Sequence, residues 1–321
     1  MNEFKIIEKY FMPLARMAQQ ESLGLKDDCA IIQSENQIVI NVDSIIEGEH
    51  FFATDPAASV AHKLLNVNLS DIAAMGATPK YWTLAISIPR ESIVNEDWLK
   101  EFCNRLEKIQ NQHKFYLISG DTTFGKQLTL TANIFAEIQP SQTPLRKSTA
   151  QMGDIICVSG CIGDSYWGLQ LLLGLPLNIS QADKTYLINK YHYPQARLEL
   201  GQLLINYANS ATDISDGLWL DVEKLCKYSG ICGVINVENV PLSAAVRNIT
   251  AEDKVIKSLT GGDDYELVFT ISENKLEELQ KKNFATPITK IGYVKHTTTN
   301  QHVEFYNNGV LLHTNHKGYN Y

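Results

Sequence analysis

The sequence predicts a mixed α/β protein built from two domains. Helical and strand periodicities occur in both halves of the chain without a strict βαβ repeat. The 321 residues are enough for two cores of ordinary size. A polar segment with two prolines, at about residues 140–149, separates the halves. We therefore expect an N-terminal domain over residues 1–139 and a C-terminal α/β domain over residues 150–321.

The N-terminal half begins with apolar residues at helical spacing over residues 3–20, which predicts an amphipathic helix. A β-branched run over residues 38–43 predicts a strand that ends in an acid. The pair Asp55-Pro56 is a typical helix start and Gly76 a typical helix end, so residues 57–75 should be helical. The other expected elements are a strand at 81–88, a helix at 96–111, and strands at 115–119 and 128–137 flanking a turn at Gly120.

The C-terminal half repeats this mixture of elements. Its expected helices are at about residues 165–173, 181–190, 196–208 and 218–228. Its expected strands are at residues 155–159, near Val234, and at 266–270, 288–294 and 303–306.

Composition and charge exclude several classes of function. The chain is 44% hydrophobic and 20% charged, which is typical of a globular protein. Its net charge of -8 and its lack of a basic cluster argue against nucleic-acid binding. The N-terminus does not resemble a signal peptide, and no run of 18 apolar residues predicts a membrane span, so we expect a cytoplasmic protein. The six cysteines lack zinc spacing and should be reduced.

Short acidic motifs recur where apolar runs break, and they are the main functional signal. They are Asp27-Asp28, Asp43, Asn68–Asp71, Gly120–Thr123, Asp213–Gly217 and Gly261–Asp264. Taken singly, such residues cap helices or close turns, and Gly120–Thr123 alone is equally consistent with a hairpin turn. Taken together, they would suit hard cations such as Mg²⁺, which take oxygen ligands. We interpret them as a site for several magnesium ions and phosphate chemistry.

The segment Gly120–Gln127 nearly matches the phosphate-binding P-loop pattern. However, Gln127 replaces the hydroxyl residue that should hold Mg²⁺, and the residues that follow alternate as a strand instead of opening a helix. A P-loop is therefore disfavoured. The glycine-rich turn Ser159–Ser165 lies between a strand and a helix and could present N–H groups to an anion. No order of residues indicates a catalytic nucleophile with its base.

Read in order, the acidic motifs resemble those of the thiamine-monophosphate kinase family. The motifs that carry the resemblance are Asp27–Ala30, Asp43–Phe51, Asn68–Ala77, Gly120–Thr123, Asp213–Leu218 and Gly262–Leu267. That family belongs to the superfamily of aminoimidazole ribonucleotide synthetase, whose members use ATP without a P-loop. The resemblance implies a two-domain fold of that type, a homodimer, and ATP-dependent phosphorylation of thiamine monophosphate to thiamine diphosphate, assisted by several Mg²⁺ ions.

The resemblance also implies roles for individual residues. The implied metal positions are Asp28, Asn41, Val42, Asp43, Asp71, Asp121, Asp213 and Asp216. The implied nucleotide positions are Gly120, Asp121, Ser215 and either Arg146 or Lys147, and the implied thiamine-phosphate positions are His50, Asp263 and His316. The chain departs from the family pattern at six positions, namely Lys26, Asn41, Val42, Lys147, Asp263 and His316. Val42 could contact a metal only through its backbone, and His316 stands where some members have Trp.

A phosphate acceptor needs no general base, because its second pKa is about 6 and it is mostly ionised at neutral pH. We therefore expect electrostatic catalysis by metal ions and no catalytic side chain. Two alternatives stay open. One is another enzyme of the same superfamily, and the other is a protein that binds metal without catalysis.

Overall fold

A computed structural model of the chain describes residues 3–22, 32–297, 301–314 and 318. The described residues form two compact units. Unit 1 comprises residues up to 72 and residues 77–141, and unit 2 comprises residues 73–76 and 142 onward. Each unit has its own β-sheet. The mixture of helices with two sheets is the α/β class that the sequence predicts.

Unit 1 contains a four-stranded sheet and four helices. The strands are β1 (Gln37–Ile46), β2 (Thr78–Pro89), β3 (Tyr116–Gly125) and β4 (Thr129–Ile138), in the spatial order β1-β4-β2-β3. The helices are α1 (Glu3–Ile6), α2 (Gln19–Ser22), α3 (Ala57–Ala74) and α4 (Glu96–His113). β4 is antiparallel to β1 and β2, whereas β2 and β3 are parallel and are connected through α4.

The burial patterns of β4 and α3 show which faces form the core of unit 1. Alternate residues of β4 are buried, as expected for a sheet covered on one face. Only Ala58 and Asp71 of α3 are not fully buried. The Asn95 side chain caps α4 by accepting a hydrogen bond from the Trp98 amide at 2.9 Å.

Two expectations for unit 1 are wrong. The first is one continuous helix over residues 3–20. The structure has α1, a π-helical turn at Ile7–Phe11, a turn, a 3-10 helix at Arg16–Ala18 and then α2. Pro13 explains the interruption, because proline lacks the N–H that a helix interior needs.

The second wrong expectation is a turn at Gly120. Residues Gly120–Thr123 lie inside β3, which continues to Gly125, and the chain reverses only before β4 begins at Thr129. No helix follows Gly125, so the segment is not a P-loop.

Unit 2 is built on a seven-stranded sheet in the order β11-β10-β7-β9-β5-β8-β6. The strands are β5 (Ile155–Ser159), β6 (Ser210–Asp213), β7 (Ile231–Asn236), β8 (Leu267–Ile271), β9 (Ile288–His296), β10 (Val303–Asn307) and β11 (Val310–Leu311). The helices are α5 (Asp164–Leu172), α6 (Gln181–His192), α7 (Leu198–Leu204), α8 (Leu218–Ser229), α9 (Ala244–Arg247), α10 (Lys254–Thr260) and α11 (Glu273–Gln280). The sequence patterns did not predict β6, β11 or α9 to α11.

No helix in the described part of the chain is long and apolar enough to span a membrane. The five described cysteines form no disulfide with one another. Burial raises the pKa of Cys103, Cys157 and Cys226 to about 12, so these thiols stay protonated at neutral pH.

Candidate active site

In unit 1, four oxygen atoms surround the side-chain nitrogen of Asn41. They are one carboxylate oxygen of Asp71 at 2.9 Å, one of Asp43 at 3.4 Å, and the side-chain and backbone oxygens of Asn68 at 3.3 and 3.4 Å. Asn41 and Asp43 are two residues apart, so they lie on the same face of β1. Asn68 and Asp71 lie one turn apart on α3. Packing of β1 against α3 then brings Asn41 and Asp71 together, although they are 30 positions apart in the sequence.

This oxygen cluster (the oxygens of Asp43, Asn68 and Asp71 around the Asn41 side chain) fits a hard cation. Two carboxylates, an amide oxygen and a carbonyl oxygen are ligands that Mg²⁺ accepts, and here all four converge on the Asn41 side-chain nitrogen, which donates to them. Asn68 is fully buried, and its own amide group donates to the Leu64 carbonyl at 2.8 Å, which orients its oxygen. Among the described residues, no three His, Cys, Asp or Glu side chains form a metal-binding group by themselves.

Asp121 lies away from the oxygen cluster within unit 1. Strand pairing places Ser44, Thr131, Ala85 and Asp121 in one row across the sheet, and this row faces away from Asp43. Two strands separate β1 from β3, a distance of about 14 Å at ordinary strand spacing. Asp121 and Val42 both carry side chains on this second, exposed face.

Gly120 precedes Asp121 at a point where β3 approaches β2 closely. A Cβ atom at Gly120 would lie 2.4 Å from the Leu84 carbonyl oxygen, so no larger residue fits without moving the backbone. This close approach is the structural reason for glycine at an implied nucleotide position.

His50 follows β1 in a short turn that is held by its own hydrogen bonds. The ring Nδ1 accepts from the Ile46 amide at 3.2 Å, and the backbone carbonyl accepts from Lys63 Nζ at 3.0 Å. The ring is therefore oriented by the turn from which it projects.

In unit 2, the segment after β6 forms a tight acidic loop, Asp213–Gly217. Asp213 is buried at the end of β6. Ser215 and Asp216 are half-buried, and Gly217, the N-cap of α8, has a φ of 116° that favours glycine. The N-cap position of α8 is therefore a glycine, which has no side chain to cap the helix, and not one of the acids that the sequence suggested.

Asp221, in the first turn of α8, organises this loop. Its Oδ2 accepts hydrogen bonds from the amides of Ser215, Asp216 and Gly217 at 3.1, 3.0 and 3.2 Å. Lys224 bonds Asp221 Oδ1 at 3.1 Å and also the Asp216 carboxylate. Burial raises the pKa of Asp221 to about 6, against the opposing effect of Lys224.

Asp263 lies beside this loop in an unusual backbone conformation. Asp263 and Tyr265 have φ values of 61° and 51°, in the left-handed region that residues other than glycine rarely adopt. Their amides donate to the carbonyls of Ser215 and Ile214, both at 2.8 Å. The Tyr265 hydroxyl donates to Asp263 Oδ1 at 3.0 Å, so the carboxylate direction is also held.

The residues on either side of Tyr265 are anchored in the interior. Both Asp264 oxygens accept from the Gly163 amide at 3.0 and 2.8 Å, and burial raises the pKa of Asp264 well above its ordinary value. Buried Glu266 forms an ion pair with the half-buried Arg197 and accepts from Ser159 Oγ at 2.5 Å. The Gly163 amide in the glycine-rich turn thus serves a carboxylate of the protein itself.

Arg146 and Lys147 lie in the segment that leads into β5. The Arg146 carbonyl accepts from Ser210 Oγ at 2.7 Å, and the Lys147 carbonyl accepts from Ser229 Oγ at 2.9 Å. The Arg146 side chain is exposed and that of Lys147 is half-buried. Two implied site residues, Asp28 and His316, lie outside the described residues, as does Lys26.

Sequence reasoning missed Asp221, Lys224 and Tyr265. The position of Asp221 offered a signal. It is an acid in the first turn of a predicted helix, directly after Asp213–Gly217, where acids stabilise the start of a helix. No local pattern pointed to the left-handed conformation of Tyr265.

Comparisons with known proteins point to one family. Residues 26–137 match the family model of AIR synthase related protein, N-terminal domain. Thiamine-monophosphate kinase from Buchnera aphidicola subsp. Acyrthosiphon pisum is 36% identical over 99% of this chain and 98% of its own length. The crystal structure of thiamine-monophosphate kinase from Stenotrophomonas maltophilia K279a has a TM-score of 0.83 at 34% identity, covering 95% of this chain and 96% of that one.

The structure of AaThiL complexed with AMPPCP and TMP has a TM-score of 0.77 at 25% identity and covers 98% of this chain and 96% of that one. Identity above 30% over nearly the full length, together with the shared fold, establishes the relationship. The chain belongs to the thiamine-monophosphate kinase family.

Proposed function

We propose that this protein transfers the γ-phosphoryl group of ATP to thiamine monophosphate, giving thiamine diphosphate and ADP. The observation that carries the proposal is the oxygen cluster of Asp43, Asn68 and Asp71 around Asn41, which suits a divalent cation beside bound phosphates. Family membership supports the substrate pair, since the relative AaThiL was crystallised with AMPPCP, a methylene analogue of ATP, and TMP.

The chemistry requires charge control more than proton transfer. The acceptor phosphate is already ionised and must approach another phosphate against strong repulsion. Mg²⁺ ions, when bound, would offset that repulsion and the charge on departing ADP. Asn41, Asp43 and Asp71 would hold such ions in unit 1, where Val42 could add a backbone oxygen. Asp28, Asp121, Asp213 and Asp216 complete the proposed metal set. We assign no side chain as general base or nucleophile.

We further propose how the chain contacts its two substrates. Gly120, Asp121 and Ser215 would contact ATP, with a phosphate contact from Arg146 or Lys147. His50, Asp263 and His316 would contact thiamine monophosphate. The hydrogen bonds that orient His50 and Asp263 support this assignment, because binding groups held in place lose less freedom when a substrate arrives.

We also propose that the protein is a homodimer and that it works in the cytoplasm, where ATP is supplied. An exposed apolar row on β1, made of Ile38, Ile40 and Val42, supports the dimer. β1 is an edge strand, and a large apolar surface on an edge favours contact with another chain. A second copy would cover the same row by two-fold symmetry.

The proposed reaction is tested by measuring ADP in a coupled assay with ATP, Mg²⁺ and one acceptor at a time. The acceptors are thiamine monophosphate, free thiamine and aminoimidazole precursors. We expect ADP and thiamine diphosphate only with thiamine monophosphate. ADP formation with an aminoimidazole precursor instead would assign the chain to a different reaction of the superfamily, and metal binding without ADP formation would indicate a non-catalytic protein.

A further inference from the structure

Asp221 is a buried acid for which neither the family motifs nor the proposed reaction has a role. It is 2% exposed and lies on α8, one turn beyond the loop Asp213–Gly217. Three consecutive backbone amides, those of Ser215, Asp216 and Gly217, converge on its Oδ2. Consecutive amides that converge in this way form a concave anion site, and here the anion belongs to the protein.

Three amides that point to one atom strongly restrict the backbone of the loop. Each of the three N–H groups lies within 3.2 Å of the same oxygen, so a rotation of any one peptide breaks its bond. Backbone donors buried without a partner are costly, which disfavours other conformations. The carbonyl side of the loop is restrained as well, since Ser215 accepts from the Asp263 amide at 2.8 Å.

Lys224 also restrains a side chain of the loop, that of Asp216. Its ammonium group bonds Asp221 Oδ1 at 3.1 Å and the Asp216 carboxylate, so one helix holds both the backbone and the acid of the loop. Partners of this kind orient the groups that contact a ligand without contacting it themselves.

We infer that Asp221 is a positioning residue for nucleotide and metal binding, acting through the loop that carries Asp213, Ser215 and Asp216. The inference rests on the proposed function, which places ATP and Mg²⁺ at that loop. Asp221 itself contacts neither substrate. Its carboxylate holds the loop in the conformation that binds them.

The test compares Asp221→Asn with Glu223→Gln, a control that removes one negative charge from the same helix two residues away. Binding of AMPPCP with Mg²⁺ is measured by calorimetry, which needs no turnover. We expect Asp221→Asn to weaken binding about tenfold, as for other residues that orient metal ligands, and Glu223→Gln to leave it unchanged. In kinetics, the KM for ATP should rise while the KM for thiamine monophosphate stays the same. Equal AMPPCP affinity in Asp221→Asn and wild type would overturn the inference.

Hydrogen exchange supplies a second measurement on the wild-type protein. The amides of residues 215–217 should exchange slowly for a loop, and selectively faster in Asp221→Asn. Exchange at the rate of an open loop in wild type would also overturn the inference, even if the variant did not fold. Absence of ADP formation by wild type would refute the proposed reaction but not the positioning of the loop, which binding and exchange measure independently.

Discussion

Asp71 is the residue on which the proposed metal chemistry depends most directly. It is one of two α3 residues that are not fully buried, and its carboxylate is 2.9 Å from the Asn41 amide. We expect Asp71→Asn to fold normally but to lower kcat/KM by about 10² or more, because a ligand charge that stabilises the transition state is lost. The exposed Asp97→Asn on α4 is the control and should keep full activity. Near-normal turnover of Asp71→Asn at low Mg²⁺ would contradict the metal role.

Glu137 gives a pH-dependent contribution to stability that is remote from the site. Partial burial alone would raise its pKa, but hydrogen bonds from Ser34 at 2.7 Å and Asn36 at 2.9 Å, together with Lys80, lower it below 4.5. A lowered pKa means that the contribution is present above pH 4.5 and is lost as the pH falls through the folded-state pKa.

Glu137→Gln should therefore cost about 0.5–1.5 kcal/mol of unfolding free energy at pH 7, and progressively less as the pH falls below 4.5. Urea unfolding at several pH values measures this. Exposed Glu277→Gln on α11 should show no such trend. A cost that stayed constant with pH would mean that the charge of Glu137 is unimportant.

At the scale of elements, α5 and α6 pack through a glycine. A Cβ atom at Gly168 would lie 2.1 Å from the Leu187 carbonyl oxygen, which is a backbone atom that cannot turn away. Gly168→Ala should destabilise the protein by about 1–3 kcal/mol even though alanine is the better helix former, because overpacking forces the helices apart. Gln170→Ala on the same helix should change stability by less than about 0.5 kcal/mol. A Gly168→Ala protein as stable as wild type would show that α5 and α6 can move apart without loss of stability.

At the scale of the whole molecule, the exposed row on β1 predicts self-association. Ile40 is 61% exposed, and Lys in its place would put a charge into the proposed dimer contact. Ile40→Lys should shift the protein from dimer to monomer in sedimentation velocity experiments at micromolar concentration. Val310→Lys, at a valine of unit 2 that is 66% exposed, should remain dimeric. If both variants were dimers, the dimer contact would lie outside the β1 row. A monomeric wild type would contradict the proposed dimer itself.

The overall reaction predicts direct transfer without a phosphoenzyme. A phosphate acceptor can attack ATP itself, so no protein group needs to carry the phosphoryl. Incubation with γ-labelled ATP, Mg²⁺ and no acceptor should leave the chain unlabelled, and addition of thiamine monophosphate should move the label to thiamine diphosphate. Stoichiometric, acid-stable or base-stable label on an Asp or His would show a two-step reaction instead.

Local sequence patterns were sufficient to predict some elements of this molecule. The β-branched run that predicts a strand at residues 38–43 and the cap and stop signals around residues 57–75 correspond to β1 and α3. These signals act within a few residues, so sequence alone determines them. The motifs were equally sufficient for the family, which a relative 36% identical over 99% of the chain confirms.

Only the tertiary structure decided which of the proposed site residues meet. Asn41 joins Asn68 and Asp71 because β1 and α3 pack together, and Asp121 faces the other side of the sheet because of its register with Ala85 on β2. Register and packing arise between residues distant in sequence, and a shift by one residue would reverse every side chain of a strand. For the same reason, the turn expected at Gly120 proved to be strand, since pairing with β2 overrides the local preference of glycine for turns.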